Sequence, residues 1–354
     1  MDYSALIERV LLQFDKKLPF VVFSLANGEV VKAFFQNNDE LYKDENLSRN
    51  GFVMHQFFDN NLNLLIPEDD SETIQSAMKF SELAKDQVEF SEPESDLIFH
   101  ESLTQKTIEA IKQGQAEKIV VSRRKDFKMD NFSIEILIER MFSAYPSAFR
   151  YVWFHPKTGI WCGATPETLV EIRNNQFRTM ALAGTKPYSA EPIKWREKEL
   201  AEQHFVTQAI LENLTDIVQD INVSETHNHR AGNLVHLRTD ISGMLSTVEG
   251  SLSKLADILH PTPAVCGTPK EFAKNFIFHN ENYDREFYTG FLGPIEDDGR
   301  TATLMVNLRC MKIQNGKASI FMGGGITVDS DPAEEWVETQ NKMQTMLQVL
   351  EPML

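Results

Sequence analysis

The grouping of apolar runs constrains this chain more than any single motif. Short runs with strand spacing come in meandering sets, at 148–154, 160–164, 168–173 and 177–183, and again at 287–295, 301–313 and 317–323. Helical stretches fall between the sets instead of following each strand. Strict alternation of strand and helix builds a doubly wound parallel sheet, whereas consecutive strands pair with antiparallel neighbours. The chain is therefore expected to be α+β, with large, mainly antiparallel sheets. Neither GxGxxG nor GxxxxGK[ST] occurs, so a nucleotide-binding fold has no support.

The remaining elements follow the same pattern. MDYSALIERVLLQFDKK reads as an amphipathic helix, and LPFVVFSL, EVVKAFF and LNLLIP read as strands. Helices are expected at 102–115, 132–144, 195–220, 251–259, 269–278 and 332–350, a buried strand at KIVVSR (118–123), and a strand near 234–245. The acidic SEPESD at 91–96 reads as a surface loop and divides an amino-terminal portion, 1–96, from 97–354.

Composition narrows the function classes. The 354 residues are 42% hydrophobic and 25% charged, values of a soluble globular protein. A net charge of -17 argues against sequence-independent nucleic-acid binding, although a metal ion or a local basic cluster can still make a pocket for an anion. No apolar run is long enough to span a bilayer, and Asp2, Glu8 and Arg9 do not fit a secretory leader. The three cysteines, Cys162, Cys266 and Cys310, lack metal-ligand spacing and point to a reducing, cytoplasmic setting.

Several residues could carry chemistry. Glu199 and Glu202 are three apart, as are Glu335 and Glu338, and each step places two carboxylates on one helix face. Converging, the two faces would make an oxygen-rich site suited to Mg2+; taken separately, both read as ordinary solvated helix faces. Lys118 opens an apolar strand, where a partly desolvated amine can act as a base or simply snorkel. Glu167, after the Gly-Ala-Thr-Pro turn, is either a strand-entry glutamate or a carboxyl kept protonated as an acid. Gly323, Gly324 and Gly325 would let backbone N–H groups approach an anion, or form a bulge. Arg309 and Lys342 are possible carboxylate partners. His236 reads as a core histidine, and His227 and His229 read as loop residues.

In order along the chain, KIVVSR, GATPETLVEI, ALAGTKP, EKELAEQHFV, LVHL, LHPTPAVCGTP, YDREFYTGFLG, VNLRC, FMGGGI and DPAEEWVETQNK resemble the chorismate-utilising enzymes, over roughly residues 100–350. That family includes isochorismate, salicylate, anthranilate and aminodeoxychorismate synthases. The resemblance implies a single large domain of two stacked antiparallel sheets surrounded by helices. In it, 1–96 is the variable portion and 97–354 the chorismate-binding portion. It further implies that Mg2+ bridges the ring carboxylate of chorismate and Glu202 and Glu338, with Glu199 and Glu335 in support. Arg309, Lys342 and the backbone of Gly323, Gly324 and Gly325 would hold substrate carboxylates, and Gly184, Thr185 and His236 would line the ring pocket. Where the family commonly has Glu-His, this chain has Glu202-Gln203, with a histidine at His204.

Lys118 matches the base of the water-using members, where anthranilate synthases usually carry glutamine, and Glu167 matches the family acid. HPTPA is similar to the isochorismate-type segment. The resemblance thus implies an isochorismate synthase, adding water at C2 and expelling the C4 hydroxyl. Lys118 must be neutral for attack and Glu167 protonated. Salicylate synthase shares the water-using motifs and stays open, as does a non-catalytic chorismate-binding protein. An ammonia-using synthase would need a glutaminase partner, of which the chain carries no sign. The size is compatible with a monomer. Isochorismate feeds menaquinone, catecholate siderophores and salicylate, and these motifs are common to all three routes.

Overall fold

Strands whose sequence is apolar at most consecutive positions are buried on both faces. Phe20–Ser24 and Phe149–His155 are buried at every position, so alternate side chains enter two different cores. In a computed structural model, which describes residues 3–58, 63–77, 87–187, 193–214, 217–231, 234–245 and 250–354, these strands belong to the first of two large sheets. Its order is Gly267–Thr268, Lys118–Lys128, Lys317–Ile326, Cys310–Gln314, Gly159–Thr165, Phe149–His155, Phe20–Ser24, Val30–Gln36 and Ser71–Ala77. The second runs Val218–Val223, Leu234–Leu245, Gln176–Pro187, Thr168–Arg173, Thr301–Val306, Phe291–Glu296, Gly51–His55, Asn63–Pro67 and Tyr42–Lys43, with His227–Ala231 also paired to Leu234–Leu245. Neighbouring strands pair antiparallel, as in the register Gly325↔Val120 and Gly323↔Ser122.

Between the sheets, Val21, Phe23, Phe149, Tyr151 and Trp153 meet Phe52, Met54, Ile66, Leu292 and Met305. Each such large side chain contributes about 1.5–3 kcal/mol on burial. The other face of the first sheet carries Phe20, Val22 and Val152 against three helices, Tyr3–Asp15, Ile134–Ala144 and Pro332–Leu350. The second sheet is backed by Glu197–Leu214 and Ser251–Leu259. The α+β architecture expected from the strand grouping is thus present.

The chain passes between sheets twice at adjacent places. Gly159–Thr165 of the first sheet continues into Thr168–Arg173 of the second through Pro166 and Glu167. Thr301–Val306 of the second returns to Cys310–Gln314 of the first through residues 307–309, where Arg309 takes φ +47°. The two crossovers are hydrogen-bonded to each other, Val306 N donating to Glu167 O (2.9 Å) and Ala164 N to Arg309 O (3.1 Å). The continuous strand expected over 301–313 is therefore two strands in different sheets, and Arg309 lies in the break.

Three other expectations are corrected. The long helix expected over 195–220 stops at Leu214, and Val218–Val223 is an edge strand. His227 and His229 are not in a loop but in a strand, opposite Arg238 and His236. SEPESD is not a plain surface loop, since a helix, Glu94–Lys112, begins inside it and the side chain of Glu92 is buried. The Glu92 carboxylate pairs with Arg123, whose guanidinium lies 3.8 Å from the Trp336 ring centroid and donates to Thr339 (2.8 Å). Arg123 shares its strand with Lys118, and Trp336 and Thr339 belong to the helix bearing Glu335 and Glu338. Removing one partner strands a buried charge, so Glu92→Ala is expected to lose about 3 kcal/mol or more, read as a lower urea midpoint.

Candidate active site

The crossovers form part of the wall of a cavity of about 1330 Å3. Lys118, Glu167, Gly184, Glu199, Arg309, Gly323, Gly325, Glu335, Glu338 and Lys342 all line it. Gly324 is not on its wall, although Glu335 Oε2 lies only 2.7 Å from where a Cβ at 324 would sit. The side chains of Thr185, Glu202 and His236 lie outside the described residues.

Each element places its residues for a local reason. Asp331 caps the helix Pro332–Leu350 by accepting from Ala333 N (3.0 Å) and Glu334 N (3.1 Å), with proline in the first turn. The capped first two turns carry Glu335 and Glu338. Lys342, one turn later, pairs with Glu338 (2.5 Å) and donates to Gly323 O (2.6 Å), tying the helix to the glycine strand. Gly184 takes φ +62° at a bulge in Gln176–Pro187, a conformation that favours glycine. Gln203, at the departure from the family's Glu-His, is buried. It donates to Ala181 O and Thr239 Oγ1, both at 2.9 Å, and so fixes Glu197–Leu214 on the second sheet.

The electrostatics separate the carboxyls. Burial pushes Glu167 up to about 7, against the opposing pull of the Lys118 ammonium and the Thr262 hydroxyl. Glu199 moves the other way: hydrogen bonds from Arg196 hold it below the usual carboxylate range, with an Arg196 contact at 2.6 Å. Glu335 is raised by burial and by the neighbouring Glu338, and a hydrogen bond from Ser330 (2.8 Å) opposes this. The Arg309 guanidinium touches the last helix only at long range, 3.4 Å to Lys342 O and 3.4 Å to Thr345 Oγ1, and its buried position lowers its pKa.

Arg196, Ser330, Tyr288 and Thr262 were not singled out from sequence. Arg196 could have been, since it stands three residues before Glu199 and makes an i, i+3 pair. The others reach the site through loops whose course no spacing rule gives.

Glu199, Glu335 and Glu338 are oxygen donors lining one cavity, and Glu335 is raised by burial and by the nearby Glu338 carboxylate, a demand that a cation would relieve. This donor chemistry fits a hard divalent cation. Among the described residues no three acidic, histidine or cysteine side chains converge tightly enough to hold an ion as they stand. Glu199 and Glu338 are instead paired with Arg196 and Lys342.

A family model described as chorismate binding enzyme matches residues 53–351. The chain belongs to the chorismate-binding enzymes. Isochorismate synthase EntC of Escherichia coli K12 is 32% identical over 246 residues, covering 66% of this chain and 62% of the relative. Isochorismate synthase DhbC of Bacillus subtilis is 33% identical over 198 residues, covering 53% of this chain and 50% of the relative. The match thus takes in less than two thirds of either relative's length. Among solved structures, a DhbC of Bacillus anthracis, described as a 2,3-dihydroxybenzoate-specific isochorismate synthase, superposes with a TM-score of 0.76 at 26% identity, over 98% of this chain and 99% of that one. MenF of Escherichia coli, at 20% identity and a TM-score of 0.74, covering 94% of this chain and 88% of that one, shares the fold. Among the described residues no helix is long and apolar enough to cross a membrane.

The raised Glu167 pKa has a consequence for stability. The folded protein holds this proton when the unfolded chain has released it, so stability falls as pH rises from the ordinary carboxyl pKa through about 7. Glu167→Gln removes the charged form, so urea denaturation is expected to show a flatter pH dependence over that window and greater stability than the parent above it.

Proposed function

We propose that this protein is a Mg2+-dependent isochorismate synthase, converting chorismate to isochorismate by adding water at C2 and releasing the C4 hydroxyl. The observation that carries the reading is a carboxyl held near neutrality in the same cavity as a lysine whose charge it feels. Burial raises Glu167 to about 7 although the Lys118 charge opposes the rise, and both residues line the cavity. Lys118, after losing its own proton to solvent, takes the proton from the attacking water as a neutral amine. Glu167, whose raised pKa keeps a protonated fraction near neutral pH, gives its proton to the departing oxygen. The pair suits a nucleophile that needs a base. Relatives named isochorismate synthases at 32% and 33% identity support the same choice.

The remaining wall binds and orients. Arg309 and Lys342 hold substrate carboxylates with the backbone at Gly323 and Gly325, Gly324 lying off the cavity wall, and Gly184, Thr185 and His236 line the ring pocket. Glu338 and Glu202 would hold Mg2+, with Glu199 and Glu335 in support. The bound ion would polarise and anchor the ring carboxylate. With three cysteines buried and reduced, the protein works in the cytoplasm as a chorismate enzyme of menaquinone or siderophore metabolism.

Chromatography of the products from purified protein, chorismate and Mg2+ tests the reading. Isochorismate alone is expected, whereas salicylate with pyruvate would reassign the chain to the salicylate-forming branch. Lys118→Ala is expected to bind chorismate and to lose turnover by about 100-fold or more. Glu338→Gln is expected to lose Mg2+-stimulated activity, and full activity in excess chelator would remove the metal from the reaction.

A further inference from the structure

Gly325 lies in the strand Lys317–Ile326, opposite Val120 in the antiparallel register. Lys118 is two residues from Val120 and so shares its face, which makes Lys118 a diagonal neighbour of Gly325. The lysine side chain runs back across that diagonal. A Cβ built on Gly325 would lie 2.6 Å from Lys118 Cε, 3.3 Å from Nζ and 3.8 Å from Cδ, and no other atom comes nearer than these. Gly325 does not have a left-handed φ, so backbone conformation gives no reason for glycine here. Gly323 differs, because a Cβ there meets the backbone oxygen of Val121 at 2.8 Å. At 325 the sole obstacle to a side chain is the lysine.

We propose that Gly325 is the positioning residue for Lys118: the space left by its absent side chain is where the lysine's Cε and Nζ lie, and so sets where the amine enters the cavity. The inference rests on the reading of Lys118 as the base. A Cβ at 325 meets the end of a flexible side chain and no backbone atom closer than 3.8 Å. It should therefore damage the base's placement far more than the fold.

Two paired measurements test this. In the parent, Gly325→Ala is expected to lower kcat by about 10- to 100-fold, the scale of an ångström-sized misplacement, with KM for chorismate within about threefold. In a Lys118→Ala background the same substitution meets no atom closer than about 3.8 Å, so thermal unfolding of Lys118→Ala/Gly325→Ala is expected at or above the Tm of Lys118→Ala alone. This arm also serves if Gly325→Ala alone folds poorly, because a fold restored by removing the lysine identifies the lysine as the obstacle. A Gly325→Ala enzyme with kcat within about twofold of the parent overturns the proposal, as does a double variant less stable than Lys118→Ala. An active Lys118→Ala enzyme would instead sink the assignment of the base, and the thermal comparison would still report on the overlap, so the two failures are distinguishable.

Discussion

The two hydrogen bonds that join the sheet crossovers, Val306 N to Glu167 O and Ala164 N to Arg309 O, fix the geometry on which the site depends. Each crossover ends one strand and starts another in the opposite sheet. Where two strands leave a sheet side by side, their backbone groups lose ladder partners, and a buried peptide group without a partner is costly. The crossovers satisfy each other. Glu167 and Arg309, which occupy these turns, are thereby set by backbone pairing on both sides. Gly163 makes this possible, since a Cβ there would lie 2.9 Å from Arg309 O. An acidic and a basic side chain thus enter one cavity from neighbouring turns, a placement that flexible loops would not hold.

The helix Pro332–Leu350 completes the frame, and it is fastened to two neighbouring strands of the first sheet, Lys317–Ile326 and Lys118–Lys128. On the cavity side Lys342 joins Gly323 O to Glu338. On the far side Arg123 joins Glu92, Trp336 and Thr339. The helix repeat explains the division: Glu335, Glu338 and Lys342 fall on one face, Trp336, Thr339 and Gln340 on another. Glu92 comes from the acidic segment between the amino-terminal portion and the rest, so that segment takes part in holding the frame. The amino-terminal strands also enter both sheets, through Phe20–Ser24 in the first and Gly51–His55 in the second.

Much of this was legible in sequence, for identifiable reasons. Grouped apolar runs imply antiparallel neighbours, so the fold class could be read from spacing. The glutamate pairs could be seen because helix periodicity is local. The break at Arg309 could not be, because VNLRC is as apolar as the strands it joins. Its positive φ is imposed by tertiary pairing and not by local preference. The buried role of Glu92 was hidden for the opposite reason: acidic residues beside proline look solvated until a distant arginine supplies the counter-charge. His227 and His229 looked like loop residues because a polar edge strand lacks the apolar alternation by which strands are recognised.

The glycine run shows how a weak sequence signal can gain a definite meaning. Three consecutive glycines could offer bare N–H groups to an anion, and the same absence of side chains creates room. That room is occupied: the Tyr288 hydroxyl lies 3.0 Å from the Cβ position of Gly323, Glu335 Oε2 lies 2.7 Å from that of Gly324, and Lys118 Cε lies 2.6 Å from that of Gly325. Side chains from three separate elements use one stretch of strand as their seat. Local propensity disfavours glycine in a strand interior, so three in a row carry a cost of folding. The tertiary packing supplies a reason for the cost, because a strand with side chains could not let a tyrosine, a glutamate and a lysine approach its backbone this closely.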